Sequence, residues 1–105
     1  MITLVNLRNK PTPKYDTYIG RANKFVGLEG SKWANPFVLK NESEREEILE
    51  KYRKYILSKP ELLEFLYELD NKILACWCCP KACHGNILIE LREKQKWLDL
   101  MSLDY

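Results

Sequence analysis

Two hydrophobic periods alternate along this chain, and the changes between them outline its elements. Residues 2–7 alternate weakly between apolar and polar positions and predict a first strand. Arg8, Asn9 and Lys10 close it, and Pro11 and Pro13 forbid an early helix. Residues 17–19 predict a short second strand, after which Gly20 and Arg21 open a loop that runs to Phe37. Irregular segments of that length in a small domain tend to be functional or mobile. The period then becomes helical: Ile48, Leu49, Tyr52, Tyr55 and Ile56 recur at helical spacing. Asn41 or Ser43 can cap this helix, and Glu44, Glu46 and Glu47 sit in its first turn, where the dipole favours acids.

Pro60 breaks the first helix and suits the first turn of a second, expected over residues 61–69 and ended by Asp70 and Asn71. Residues 73–78 are apolar on both faces, as a central strand would be. Ile87, Leu88, Leu91 and Leu98 then mark a final helix, and residues 99–105, with little periodicity, are expected to fray or dock on a neighbour. The order β-β-α-α-β-α predicts an α/β fold, a single domain over residues 1–105 with a short central sheet in a two-layer or three-layer sandwich. Periodicity leaves the direction of the strands open.

A chain of 105 residues, 46% apolar and 30% charged, has the composition of a soluble globule large enough for one core and too small for a separate substrate domain. With a mean hydropathy of −0.42, no long apolar stretch and no signal-peptide pattern, the expectation is a cytoplasmic protein without a membrane partner. All four cysteines lie between Cys76 and Cys83, unlike a secreted scaffold whose bridges span distant loops, so reduced thiols are expected.

The formal charge of +2 conceals an asymmetry. Residues 1–40 hold seven basic and two acidic side chains, and residues 41–71 hold five basic and nine acidic. Arg8, Lys10, Lys14, Arg21, Lys24 and Lys32 would suit a phosphate-bearing partner, with Tyr15, Tyr18, Phe25 and Trp33 offering stacking faces among them. A solvated basic surface over core aromatics is the plainer alternative.

The candidate chemistry lies where the last strand passes into the final helix. Cys83 at a helix start would have its thiolate stabilised by orphan amides, which makes it the candidate nucleophile, with His84 beside it for acid–base work. The same amides of His84, Gly85 and Asn86 could instead hold an anion, Gly85 letting the ligand approach closely and Arg21 or Lys81 adding charge. Zinc on the cysteines and His84 is a weaker alternative, because the chain has no second, separated ligand pair. Otherwise no cofactor or metal is expected. Cys76 and Cys78 also suit a buried strand as small apolar side chains, and a disulfide from Cys83 to Cys78 or Cys79 is a further option. In the loop, the Trp33 ring could stack on a ligand and the Asn35 amide could read its edge, unless these residues plug one end of the core.

Val5-Asn6-Leu7-Arg8 and Tyr18-Ile19-Gly20-Arg21, then residues 33–37, then Leu74-Ala75-Cys76-Trp77-Cys78 with Cys83-His84-Gly85, together resemble domain-of-unknown-function family 4326, a group of small bacterial and phage proteins. The resemblance covers about residues 5–91 and leaves 92–105 as a C-terminal extension. It implies that Asn6, Arg8, Tyr18, Gly20, Arg21, Trp33, Asn35, Pro36, Cys76, Cys78, Cys83, His84 and Gly85 belong to a site, and it transfers no activity. Ala34 stands where the family pattern has glycine, and Cys79 adds a thiol at a position where a small or polar residue is usual.

The expectation is therefore a protein that binds a nucleotide, nucleoside or nucleic-acid end at the Cys83-His84-Gly85 helix start. Arg8, Tyr18, Arg21, Trp33 and Asn35 would complete the pocket, and an enzymatic role for Cys83 and His84 stays open. The alternatives are a non-catalytic adaptor or inhibitor for nucleic acid or protein, and a zinc-stabilised module. A homodimer would give so short a chain a fuller pocket.

Overall fold

The computed structural model describes residues 1–78 and 81–102. Among these residues, three strands form the sheet: β1 (Thr3–Asn6), β2 (Thr17–Tyr18) and β3 (Ile73–Cys76). Three helices follow the expected order: α1 (Arg45–Leu57), α2 (Pro60–Glu64) and α3 (His84–Ser102). The most apolar strand, β3, is central, in the order β1-β3-β2, and both of its pairings are parallel. Thr3 lies beside Ile73 and Asn6 beside Cys76, while Tyr18 pairs with Ala75.

This polarity constrains the chain between β1 and β2. Because the two flank β3 and point the same way, residues 7–16 must return from the carboxyl edge of the sheet to its amino edge. They do so without a helix, and Asp16 anchors the return: its backbone N–H donates to the Ile73 carbonyl at 2.8 Å and its side chain accepts from Ile73 N at 2.7 Å.

Local chemistry explains most boundaries. Asn41 caps a single 3-10 turn at Glu42–Glu44, its Oδ1 accepting from Ser43 N at 3.0 Å, and that turn leads into α1. Pro60 opens α2, which is shorter than expected and passes into a second 3-10 turn, Leu66–Leu69. Asn71 adopts a left-handed φ of 60°, one of the few residue types that tolerates it, and turns the chain into β3. Where residues 99–105 were expected to fray or dock on a neighbour, α3 continues through Ser102, and residues 103–105 lie outside the described residues. Trp97, Leu98, Leu100 and Met101 on its last turns are exposed.

One core joins the layers. Tyr52 and Ile56 of α1, Leu62 of α2, and Ile87, Leu88 and Leu91 of α3 pack with Leu66, Leu69, Ile19 and the β3 residues Leu74 and Cys76. Helices α1 and α3 touch each other over this core, which makes the arrangement two-layered. Two arginine clasps tie the helical side. Arg92 holds Asp70 through two hydrogen bonds, at 2.8 and 2.7 Å, and Arg53 of α1 holds Glu90 of α3 at 2.7 and 3.0 Å. No helix among the described residues is long and apolar enough to cross a membrane.

Candidate functional site

Parallel strands deliver their carboxyl ends to one edge, and in open α/β sheets ligands bind there. At this edge lies a cavity of about 530 Å³. Arg8 enters it just after β1, Tyr18 and Arg21 from β2 and its exit, and Cys76, Trp77 and Cys78 from β3 and its exit. The long loop contributes Asn35, Phe37, Val38 and Leu39, and α1 contributes Arg45, Ile48 and Leu49. Cys83 and His84 close it from the start of α3. The lining thus combines apolar side chains with three guanidinium groups.

Six of the eight residues expected to form the site line this cavity; Trp33 and Gly85 do not. Trp33 is 2% exposed and belongs to the core, its carbonyl accepting from Tyr52 Oη at 2.6 Å. Its ring is a plug with no face left for a ligand. Gly85 allows a close approach, but of the protein itself. A Cβ there would lie 2.6 Å from Leu4 Cδ2 and 3.0 Å from Ile19 Cδ1, so glycine lets α3 settle against the sheet.

Arg21 is held by the loop it faces. Its Nε donates to the Asn35 carbonyl at 2.8 Å and one Nη2 hydrogen to the Phe37 carbonyl at 2.9 Å, leaving three of five N–H donors for other partners. No carboxylate among the described residues pairs with it. Asn35 shapes the same loop, accepting from Phe37 N at 2.9 Å through Oδ1, and also lines the cavity. Tyr18 Oη donates to the Arg21 carbonyl at 2.7 Å and accepts from Trp77 Nε1 at 2.9 Å. Its ring lies over Gly20, where a Cβ would overlap it. Arg8 is exposed and has no ion-pair partner among the described residues.

The helix start differs from expectation. Cys83 is 2% exposed, with its sulfur 3.8 Å from that of Cys76, two thiols in contact without a bond. The Cys76 sulfur, and then burial, push the Cys83 thiol far above its usual range, although the Gly85 and Asn86 amides oppose the shift. Of those amides, which were expected to hold an anion, that of Asn86 donates to the Cys83 carbonyl at 2.9 Å. Asn86 completes the cap by accepting from Cys83 N through Oδ1 at 2.9 Å. A shift in this direction disfavours the thiolate, the form in which a cysteine acts as a nucleophile.

His84 approaches the Ile19 carbonyl with Nε2 at 2.6 Å and stands edge-on to Tyr52, ring centroids 5.2 Å apart. A carbonyl only accepts, so Nε2 carries the proton and Nδ1 is the acceptor of the neutral ring. Burial lowers the His84 pKa despite the opposing Ile19 carbonyl, and the Arg21 charge lowers it further.

Arg45 is the cavity arginine that pattern reading missed. Its guanidinium holds Glu42 at 2.9 Å through both Nε and Nη2 and the Ala82 carbonyl at 2.6 Å through Nη1, pinning the start of α1 to the turn before α3. Glu42 is lowered to about 2, chiefly by its hydrogen bonds to Arg45. One signal in the sequence pointed to Arg45: a cation in a first turn otherwise full of acids opposes the helix dipole, which needs a specific reason.

A family model described as "Domain of unknown function (DUF4326)" matches residues 3–94, nearly the whole chain. The chain belongs to the DUF4326 family. The match spans every strand and the cavity wall, and it ends within α3, before the exposed apolar residues of its last turns. An uncharacterised protein of Acanthamoeba polyphaga mimivirus is 36% identical over 101 residues, covering 87% of this chain and 77% of its own length. No solved structure matches this DUF4326 protein. Among its described residues no three His, Cys, Asp or Glu side chains gather as a metal site would require. Cys79, and with it the Cys79–Cys83 disulfide, lies outside the described residues.

Proposed function

We propose that the protein binds a nucleotide, or another small phosphate ester of that size, in the cavity at the carboxyl edge of the sheet. One observation carries this: among the described residues, the lining includes Arg8, Arg21 and Arg45 and no Asp or Glu. Arg45 is neutralised by Glu42, so Arg8 and Arg21 supply the positive field, one on each side of β3. Guanidinium forks suit phosphate oxygens. Phe37, Leu39, Ile48 and Leu49 offer the apolar surface that a base would cover, and Asn35 lines the same cavity. A volume of about 530 Å³ falls within the range of small-molecule sites.

The phosphate lies at the arginines in this account, and the Asn86 amide remains occupied by the Cys83 carbonyl. With the Cys83 thiolate disfavoured and His84 donating to Ile19, the supported role is binding.

A thermal-shift panel of nucleoside mono-, di- and triphosphates, nucleosides, sugar phosphates and inorganic phosphate tests it. At a hundredfold excess over Kd, a nucleotide should add about 2.7 kcal/mol and raise Tm by roughly 10 °C or more. Wild type and Cys83→Ser should respond alike, and Arg8→Ala should show a clearly smaller shift. No shift with any compound, or an unchanged shift in Arg8→Ala, refutes the proposal.

A further inference from the structure

The residues that follow Arg21 form a closed hairpin at the rim of the cavity. Asn23 N donates to the Leu28 carbonyl at 2.8 Å and Leu28 N returns the bond at 2.9 Å. Inside that bridge, Phe25 N donates to Asn23 Oδ1 at 3.1 Å and Val26 N to the Asn23 carbonyl at 3.3 Å. Gly27 takes a left-handed φ of 69°, which a side chain would resist, and lets the turn close within six residues. The turn is therefore built by its own hydrogen bonds. Its product is a Phe25 ring 90% exposed at the tip, with Val26 beside it, also exposed.

A lone exposed aromatic says little. This one stands on a hairpin whose first residues, Ala22 and Asn23, line the cavity that holds Arg8 and Arg21. Lys24 precedes it and, among the described residues, has no ion-pair partner. An aromatic face next to a lysine, beside the proposed phosphate site, suits single-stranded nucleic acid: bases stack on the ring and cations follow the backbone. A duplex keeps its bases paired and has none to offer the tip.

We infer that the ligand is the phosphorylated end of a single-stranded nucleic acid, its terminal nucleotide in the cavity and a neighbouring base stacked on Phe25. Lys24 takes a phosphate of the strand leaving the cavity. This rests on the cavity being a phosphate site, and it extends that site onto the hairpin.

Fluorescence anisotropy with short DNA and RNA strands tests it, each carrying a 5′-phosphate, a 3′-phosphate or no terminal phosphate, alongside the corresponding duplexes. The proteins are wild type, Phe25→Ala, Phe25→Trp and Arg8→Ala, and the same samples are melted with nucleoside monophosphates. A phosphorylated single strand should bind more tightly than its hydroxyl-ended form, its duplex or a mononucleotide. Phe25→Ala should weaken strand binding by roughly 5- to 100-fold, Phe25→Trp should restore it, and neither should change the mononucleotide shift. If mononucleotides bind but strands bind no better, or Phe25→Ala is silent, the inference falls and the cavity proposal stands. If no mononucleotide shifts the melt, both fall. Binding to anionic lipid vesicles that depends on Phe25, without strand binding, would reassign the tip to membrane surfaces and overturn the inference.

Discussion

On the helical side, Arg53 and Arg92 each clasp a carboxylate on another segment, Glu90 and Asp70; at the carboxyl edge of the sheet, Arg8 and Arg21 meet none among the described residues. The same side chain does two kinds of work. In the first region its charge is cancelled by a bidentate partner, and the result is a fixed contact between elements. In the second, Arg21 is oriented by two carbonyls that leave its net charge intact, and Arg8 is exposed with no carboxylate partner among the described residues. Two guanidiniums without a carboxylate partner at one cavity make a positive field there, which is the basis on which we propose an anionic ligand.

Removing a cavity arginine should separate the two regions most sharply. Arg21→Ala loses both the anion contact and the tie to Asn35 and Phe37, so nucleotide affinity should drop ~100-fold or more, about 2.7 kcal/mol, by calorimetric titration. Retained affinity would merge the two regions into one structural class. Gly85→Ala attacks the scaffold beneath the cavity. Its Cβ must displace Leu4 and Ile19, and we expect a loss of about 1–3 kcal/mol in denaturant midpoint analysis. Arg92→Ala belongs to the structural class and should cost about 1–2 kcal/mol with ligand affinity unchanged; a change in affinity would blur the comparison.

Acid should show the smallest effect first. His84 has a folded pKa below its ordinary 6.5, so the unfolded chain takes up its proton before the native protein does. Stability from this group is complete above pH 6.5 and is lost as pH falls toward the lowered value. Melting at pH 7.5 and 5.5 should therefore show a decrease that His84→Gln removes. The carboxylates of Asp70 and Glu90, lowered chiefly by hydrogen bonds to Arg92 and Arg53, add a second loss only as pH falls through and below the usual carboxylate range.

Much of the fold was legible because it rests on local rules. The two-sided apolar run of β3, the Asn41 cap and the Pro60 helix start each state their structure within a few residues. Strand direction was not legible, since alternation is the same in a parallel and an antiparallel strand. Arg8, Tyr18, Arg21, Asn35, Cys83 and His84 were expected together and all line one cavity, but the direction of the Cys83 sulfur was not legible. The reason is physical: a cysteine before a helix can present its sulfur outward or turn it inward beneath its own amides, and the letters are identical. Contact with Cys76, seven residues away in sequence, settles the matter in three dimensions. Gly85 is similar, because a glycine that admits a ligand and one that admits Leu4 look alike until the sheet is built.

Calorimetric titration of a nucleoside monophosphate into wild type, Arg8→Ala and Cys83→Ser tests the central claim most directly, because Arg8 is exposed and its removal leaves the core untouched. The account predicts saturable one-to-one binding to wild type and Cys83→Ser, and a loss of roughly tenfold or more in Arg8→Ala from a missing charged contact. Binding that survives Arg8→Ala and disappears in a folded Cys83→Ser would return the site to the helix start and contradict it.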